Sequence, residues 1–418
     1  MPSVLNEAVK LPCGLVLPNR LAKAALAEAL AGSENTVTPT LLKAYERWGR
    51  GGWGAILTGN VQVDVNHLGQ PYDPALHGEY TGKAGNEPLL ARWTSYATAV
   101  QQQHGSPGIV QICHPGRQSV RFAGRRGVFA STLAPSAIPL QIGEGFLARG
   151  LAWLLFPAPR EMDQADIDRV VRQFADTARL MADSGFSGVE LHGAHGYLID
   201  QFLNAKTNKR TDAYGGSAEK RAKFLLDIIH AVREVVPAGF AVGVKLNSAD
   251  HNSSTFEETM TQIGLLAEAG VDFLEISGGS YENPKMLGLD APKSERTLAR
   301  EAFFLEFARE TRQRFPSLVL MLTGGFRTRA GAESAVQQNV CDIIGLGRPA
   351  AIDPDLPKVF LDDGLEDEQA RLVLGRVPMP ALARLLPFKG VGAGLESNYY
   401  AAQIKRFAQG LRTIAPGL

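Results

Sequence analysis

The chain has little cysteine. Cys13, Cys113 and Cys341 are its three, far apart and with no CxxC spacing among 418 residues. That excludes a disulfide scaffold, a zinc ribbon and a cysteine-held iron–sulfur cluster. Net charge is also absent, because 43 basic and 43 acidic side chains cancel, whereas a nucleic-acid binder needs a basic surplus against phosphates. No apolar run approaches the ~20 residues of a membrane span. The stretch from Leu11 to Leu17 is short, broken by Gly14 and bounded by Pro12 and Pro18, and makes a poor secretory core. The terminal Ala415-Pro416-Gly417-Leu418 matches neither a prenylation box nor a peroxisomal address. These absences lead to the expectation of a cytoplasmic protein with neither nucleic acid nor membrane among its partners.

What is present is a composition for burial: 45% apolar and 21% charged residues, with 44 glycines and 24 prolines. At ~150 residues per domain this length suggests two or three domains, although α/β barrels of this size commonly stay single. Eight short β-rich runs occur, from Leu21 to Leu26, Ala55 to Thr58, Ile109 to Ile112, Val189 to Leu191, Ala241 to Leu246, Phe273 to Ile276, Leu318 to Leu322 and Asp342 to Gly345. Helix-length amphipathic segments separate them. Ile167, Val170, Val171, Phe174, Ala178 and Met181 form one helical stripe, and Phe224, Leu225, Ile228, Ile229 and Val232 another. Thr255-Phe256-Glu257-Glu258 has the pattern of a capping box, and Pro39, Ser217, Thr328 and Pro354 mark further helix starts. Strand and helix alternating eight times predict an α/β protein folded as a single TIM (β/α)8 barrel, with an open doubly wound sheet as the alternative.

Two segments exceed the barrel. Residues 117–164 form a long insertion after strand 3, rich in Gly, Pro and Arg, and are expected to cap the barrel mouth. Residues 362–418 begin acidic and form a C-terminal helical tail, expected to pack on the barrel of residues 1–361, with a contact in a homo-oligomer as the alternative.

A barrel builds its site after its strands, and the residues there include Asn60, Gln111, His114, His192, His195, Tyr197 and Ser277. In Val242-Gly243-Val244-Lys245-Leu246-Asn247 the period of two sends Lys245 into the barrel interior. A buried ammonium must be paired or lose its proton, so Lys245 either pairs with an inward carboxylate or compensates an anion above the strands. The neighbouring motifs favour the anion. Thr323-Gly324-Gly325 and Gly345-Leu346-Gly347-Arg348 offer bare amides and a guanidinium where many barrels bind phosphate. The second also fits G-x-G-x-x-G/A, weakly, because it falls on the last strand. His192-Gly193-Ala194-His195 admits three readings: metal ligands together with His114, histidines hydrogen-bonded in a polar loop, or two donors aimed at one oxygen beside Tyr197 as a proton source.

The run from Gly188 to Leu203, GVELHGAHGYLIDQFL, continued by Asn208-Lys209-Arg210-Thr211-Asp212-Ala213-Tyr214-Gly215-Gly216-Ser217, resembles the Old Yellow Enzyme family of flavin-dependent oxidoreductases. So do Pro18-Asn19-Arg20 to Leu26, the block Gln111 to Arg117, Thr323 to Phe326 and Gly345 to Pro349. The resemblance implies noncovalent FMN, reduced by NADPH or NADH and reoxidised by an enone or enal in ping-pong fashion, the activity of an NAD(P)H:flavin oxidoreductase. It further implies that Gln111 and Lys245 face the flavin pyrimidine edge. Ala25, Leu26, Ala27 and Asn60 would line the ring, and Gly324, Gly325, Gly347 and Arg348 would bind the phosphate. His192 and His195 would hold the substrate carbonyl while Tyr197 protonates the α-carbon. Ala27 stands where family members usually carry a hydroxyl or thiol bonded to the flavin, which implies a lowered flavin potential and slower reduction by nicotinamide. Lys245 replaces the arginine of some members and loses its planar fork. Arg121, Arg125 and Arg126 are candidates for a nicotinamide 2′-phosphate or are simply a solvated basic loop.

Overall fold

The strands are β1 Leu21–Lys23, β2 Ala55–Leu57, β3 Gly108–Cys113, β4 Gly188–Gly193, β5 Ala241–Asn247, β6 Phe273–Ser277, β7 Leu320–Thr323 and β8 Ile343–Leu346. The computed structural model describes residues 2–102, 105–143, 145–249, 255–277, 295–378, 380 and 391–417. Each strand pairs in parallel with the next, and β8 pairs in parallel with β1. The sheet is closed and leaves no edge, which selects the barrel over the open sheet. β1 ends at Lys23, earlier than its apolar run, so that Ala24 to Ala27 lie beyond the strand.

Helices cover the outside as their stripes require. In Gln164–Asp183 the side chains of Ile167, Val170, Phe174, Ala178 and Met181 are buried, and in Ala218–Val235 those of Phe224, Leu225, Ile228, Ile229 and Val232. Each large apolar side chain so buried contributes about 1.5–3 kcal/mol. Thr38, Ser217 and Thr328 cap their helices through side-chain oxygens. Pro354 lies just before the Asp355 cap of Leu356–Phe360. The capping box expected at Thr255 is not formed that way: the helix Thr255–Glu268 already includes Thr255, and Glu258 pairs with Arg221 at 2.7 Å. A reciprocal box does form between Asp163 and Asp166.

The barrel interior is layered. Ala22, Ala55, Ile109, Ala241, Phe273, Met321 and Ile343 fill its lower part, closed by Val9, Leu11 and Leu17 of an N-terminal hairpin. Gly243 is obligatory there, because a Cβ on it would sit 2.1 Å from the Phe273 ring. Higher up the layer becomes polar, with Gln111, Glu190, Lys245 and Glu275 all buried.

Within the insertion, Thr132–Ala134 pairs in parallel with Pro159–Glu161, and a helix spans Phe146–Leu155. In the tail, the helix Val391–Ala408 seats Phe407 against Trp48 at 5.0 Å between ring centroids, and Thr413 donates to the Ile352 carbonyl. Among the described residues no helix is long and apolar enough to cross a membrane.

Candidate active site

The end of β4 and the loop that leaves it carry three aromatic polar groups, and the loop is fastened at nearly every residue. His192 and His195 lie with ring centroids 5.0 Å apart at 86°, and His192 and Tyr197 4.7 Å apart at 42°. His195 has φ of +61°, a left-handed conformation that a side-chain-bearing residue adopts only when its surroundings compel it. Those surroundings are its amide donating to Asn247 Oδ1 (3.2 Å), its carbonyl accepting from Gln118 Nε2 (2.9 Å) and its Nε2 lying 3.2 Å from Ser277 Oγ. Asp200 completes the frame, accepting from the Gly196 amide at 2.6 Å and from Asn247 Nδ2 at 2.8 Å. Asn60 Nδ2, from the loop after β2, lies 3.2 Å from the Tyr197 hydroxyl.

Both histidines are neutral at physiological pH. Burial lowers His192 well below the usual imidazole range, helped by repulsion from His195 and Lys245, and burial with Lys245 lowers His195 to about 3. The Ala194 amide donates to His192 Nδ1 at 3.3 Å, which leaves its proton on Nε2. His192 is therefore an N–H donor.

His114 does not join them. Among the described residues the group with converging ligand atoms is Asp64, His67 and His114, within 4.8 Å of one another. The His114, His192 and His195 set of the metal reading is thus not assembled. Even in its own cluster His114 is oriented as a donor, since the Gly116 amide occupies its Nδ1 at 3.0 Å and leaves the proton on Nε2.

Below the loop, the register sets Gln111 beside Glu190 and Lys245 beside both His192 and Glu275. Gln111 Nε2 donates to Glu190 Oε2 at 2.6 Å, and Lys245 Nζ lies 2.7 Å from Glu275 Oε1. Lys245 is thus paired with an inward carboxylate, the alternative that the neighbouring motifs did not favour. Glu190 and Glu275 went unnoticed there, although each sits at an inward position of its strand and the period of two identifies them.

On the opposite rim, Ala25, Leu26 and Ala27 are half-buried after β1. After β7, Gly324 and Gly325 have φ of +149° and +77°, and the space a Gly325 Cβ would enter is empty to 4 Å. Gly347 precedes the short helix Arg348–Ile352, and Arg348 pairs with Glu396 of the tail at 2.5 Å. Ser277 ends its strand, and the glycines that follow it in the sequence, Gly278 and Gly279, lie outside the described residues.

Residues 13–368 match the NADH:flavin oxidoreductase / NADH oxidase family. The chain belongs to that family. It is 42% identical to the NADH-dependent flavin oxidoreductase iccE of Talaromyces variabilis over 97% of this chain and 98% of that protein. It is 41% identical to iliE of Neonectria sp. (strain DH2) over 96% of this chain, but spans 54% of that longer protein. Among solved structures it is similar to morphinone reductase, with 25% identity, a TM-score of 0.68, and coverage of 86% of this chain and 90% of that one. This is the Old Yellow Enzyme family, whose members are flavin oxidoreductases with FMN as cofactor and NAD(P)H as co-substrate. The residues at the barrel mouth fit FMN. Glycine backbone with open space before it and a guanidinium suit a phosphate, a half-buried apolar rim suits a planar ring, and a buried ammonium suits a ring that gains negative charge.

Proposed function

We propose that this flavin oxidoreductase uses NADH to reduce the C=C bond of α,β-unsaturated carbonyl compounds, enones and enals. The observation that carries this reading is the convergence of His192 at the end of β4 with His195 and Tyr197 on the braced loop that follows it. Gln111, Lys245, Ala25, Leu26, Ala27 and Asn60 would hold the FMN ring and Gly324, Gly325, Gly347 and Arg348 its phosphate, and the cofactor would supply the hydride acceptor and donor. His192 and His195, both neutral, donate N–H groups to the substrate carbonyl oxygen. Preorganised donors of this kind are worth about 2.7–4 kcal/mol each when charge develops on the oxygen. Tyr197 then delivers its hydroxyl proton to the α-carbon, oriented by Asn60.

NADH is favoured over NADPH. Arg121 bonds the carbonyls of Leu154 and Trp153, Arg125 pairs with Glu34 at 2.7 Å, and Arg126 bonds Ser119 Oγ at 2.7 Å and the Asn66 carbonyl. Each guanidinium already has a partner within the protein, Arg125 only an exposed one, and the similar proteins iccE and iliE are named as NADH-dependent. In this reading residues 1–361 are the catalytic barrel, residues 117–164 its cap and residues 362–418 an extension packed against it. The test is anaerobic spectroscopy of the purified yellow protein: bleaching by NADH and recovery on adding cyclohexenone are expected. Bleaching with no recovery rejects the enone reading, and a yellow protein that NADH leaves unbleached is a flavin binder with little turnover.

A further inference from the structure

The polar layer of the barrel interior holds one cation for two carboxyls. Lys245 Nζ is 2.7 Å from Glu275 Oε1, with side chains 4% and 0% exposed, and Glu190 on β4, across β5 from Glu275, interacts with it through the barrel interior while accepting from Gln111 at 2.6 Å. Two carboxylates in contact inside a protein do not both ionise. Burial and then Glu275 push Glu190 far above the usual carboxylate range, so it stays protonated. Burial also pushes Glu275 upward, but Lys245, together with Glu190 and Thr323 as hydrogen-bond partners, outweighs it and holds Glu275 ionised. The layer is therefore neutral before the cofactor is reduced, and the charge of Lys245 is already spent on Glu275. Other groups facing Glu275 are the Thr323 hydroxyl on β7 and, at longer range, Lys23 on β1. Neither removes the repulsion that a new negative charge beside Lys245 would create.

We propose that Glu275 takes up one proton each time the cofactor is reduced, giving up its ion pair so that the Lys245 ammonium turns to the added charge. A hydride from NADH brings two electrons and one proton to the cofactor and leaves NAD+, so the cofactor gains one negative charge. The Glu275 carboxylate takes a proton from solvent and becomes a neutral carboxyl, then returns it on reoxidation. Nothing further is oxidised or reduced. Glu275 is a positioning and charge-compensating residue, acting through Lys245. The inference rests on the FMN and NADH chemistry of the family and is independent of which alkene is reduced.

The test is stopped-flow reduction of the FMN-loaded protein by NADH in weakly buffered solution with a pH indicator. One proton taken up per flavin is expected in the wild type and in Glu190→Gln, where the amide mimics the neutral carboxyl, and none in Glu275→Gln. No uptake in the wild type overturns the proposal, as does uptake that persists in Glu275→Gln, which places the proton on the flavin. If Glu275→Gln fails to hold FMN, the wild type decides through its reduced-minus-oxidised infrared spectrum, which must gain a deuterium-sensitive band of a protonated carboxyl. If NADH does not bleach the protein, the NADH reading fails separately. Electrochemical titration then reads the same stoichiometry, two protons per two electrons in the wild type and one in Glu275→Gln, with one in both overturning the proposal.

Discussion

Asn60 Nδ2 and the Tyr197 hydroxyl, 137 residues apart in sequence, lie 3.2 Å apart above the barrel. A third residue defines this contact by what it lacks. A Cβ on Gly69 would sit 2.8 Å from that hydroxyl and 3.2 Å from Gln62 Nε2. Gly69→Ala should therefore displace the phenol and lower enone turnover about tenfold or more, with reduction by NADH retained. Tyr197→Phe should lower turnover by about 10²–10⁴-fold, the range of a general acid, again sparing reduction. Separate measurement of the two half-reactions checks both, and turnover unchanged in Tyr197→Phe removes it from the proton-donor role.

The neutrality of the histidines makes a pH prediction for stability. His192 and His114 are held well below the ordinary value of about 6.5, and His195 at about 3. Above pH 6.5 neither folded nor unfolded chain protonates them, and their contribution is intact. Below it the unfolded chain binds protons that the folded one refuses, so stability falls by up to about 1.4 kcal/mol per pH unit per histidine. Asp73 has the opposite sign: burial raises it to about 7, and its contribution is lost as pH rises through that value. Thermal midpoints of the protein should pass through a maximum near neutrality. His192→Asn should flatten the acid side, and an acid limb unchanged by that substitution would contradict the assignment.

Arg348 is shared between two ends of the chain. It opens the short helix after β8 and pairs with Glu396 in the tail helix, both side chains mostly buried at 16% and 13% exposure. Arg348→Ala should weaken FMN binding by about 1.5–3 kcal/mol, roughly 10- to 150-fold, and also lower stability by stranding Glu396. Adding Glu396→Ala should restore part of the stability and none of the affinity. Flavin fluorescence titration alongside denaturant unfolding separates the two effects.

Ala27 has no hydroxyl to offer a flavin. Ala27→Thr should raise the reduction potential and speed reduction by NADH at saturating concentration. Potentiometry of both proteins decides it, and a potential equal to or below that of the wild type would show that residue 27 does not touch the ring.

The eight βα units were legible in the sequence because burial imposes its periods locally. The stripe from Ile167 to Met181 and the alternation around Lys245 each report one element and one buried face. The family was legible because the run from Gly188 to Leu203 is contiguous. The Thr255 pattern marked the start of its helix but not the bonding there, because Glu258 pairs with Arg221, a partner distant in sequence.

By itself, then, the sequence determined the strands and helices, their eightfold alternation and the inward direction of Lys245, all consequences of short-range spacing. Only the tertiary structure decided what Lys245 meets, that His114 turns to Asp64 and His67 rather than to His192, and that Glu396 reaches Arg348. Those choices depend on which strands become neighbours and in which register. Electrostatic partners in a barrel interior are set across strands, where separation along the chain carries no information.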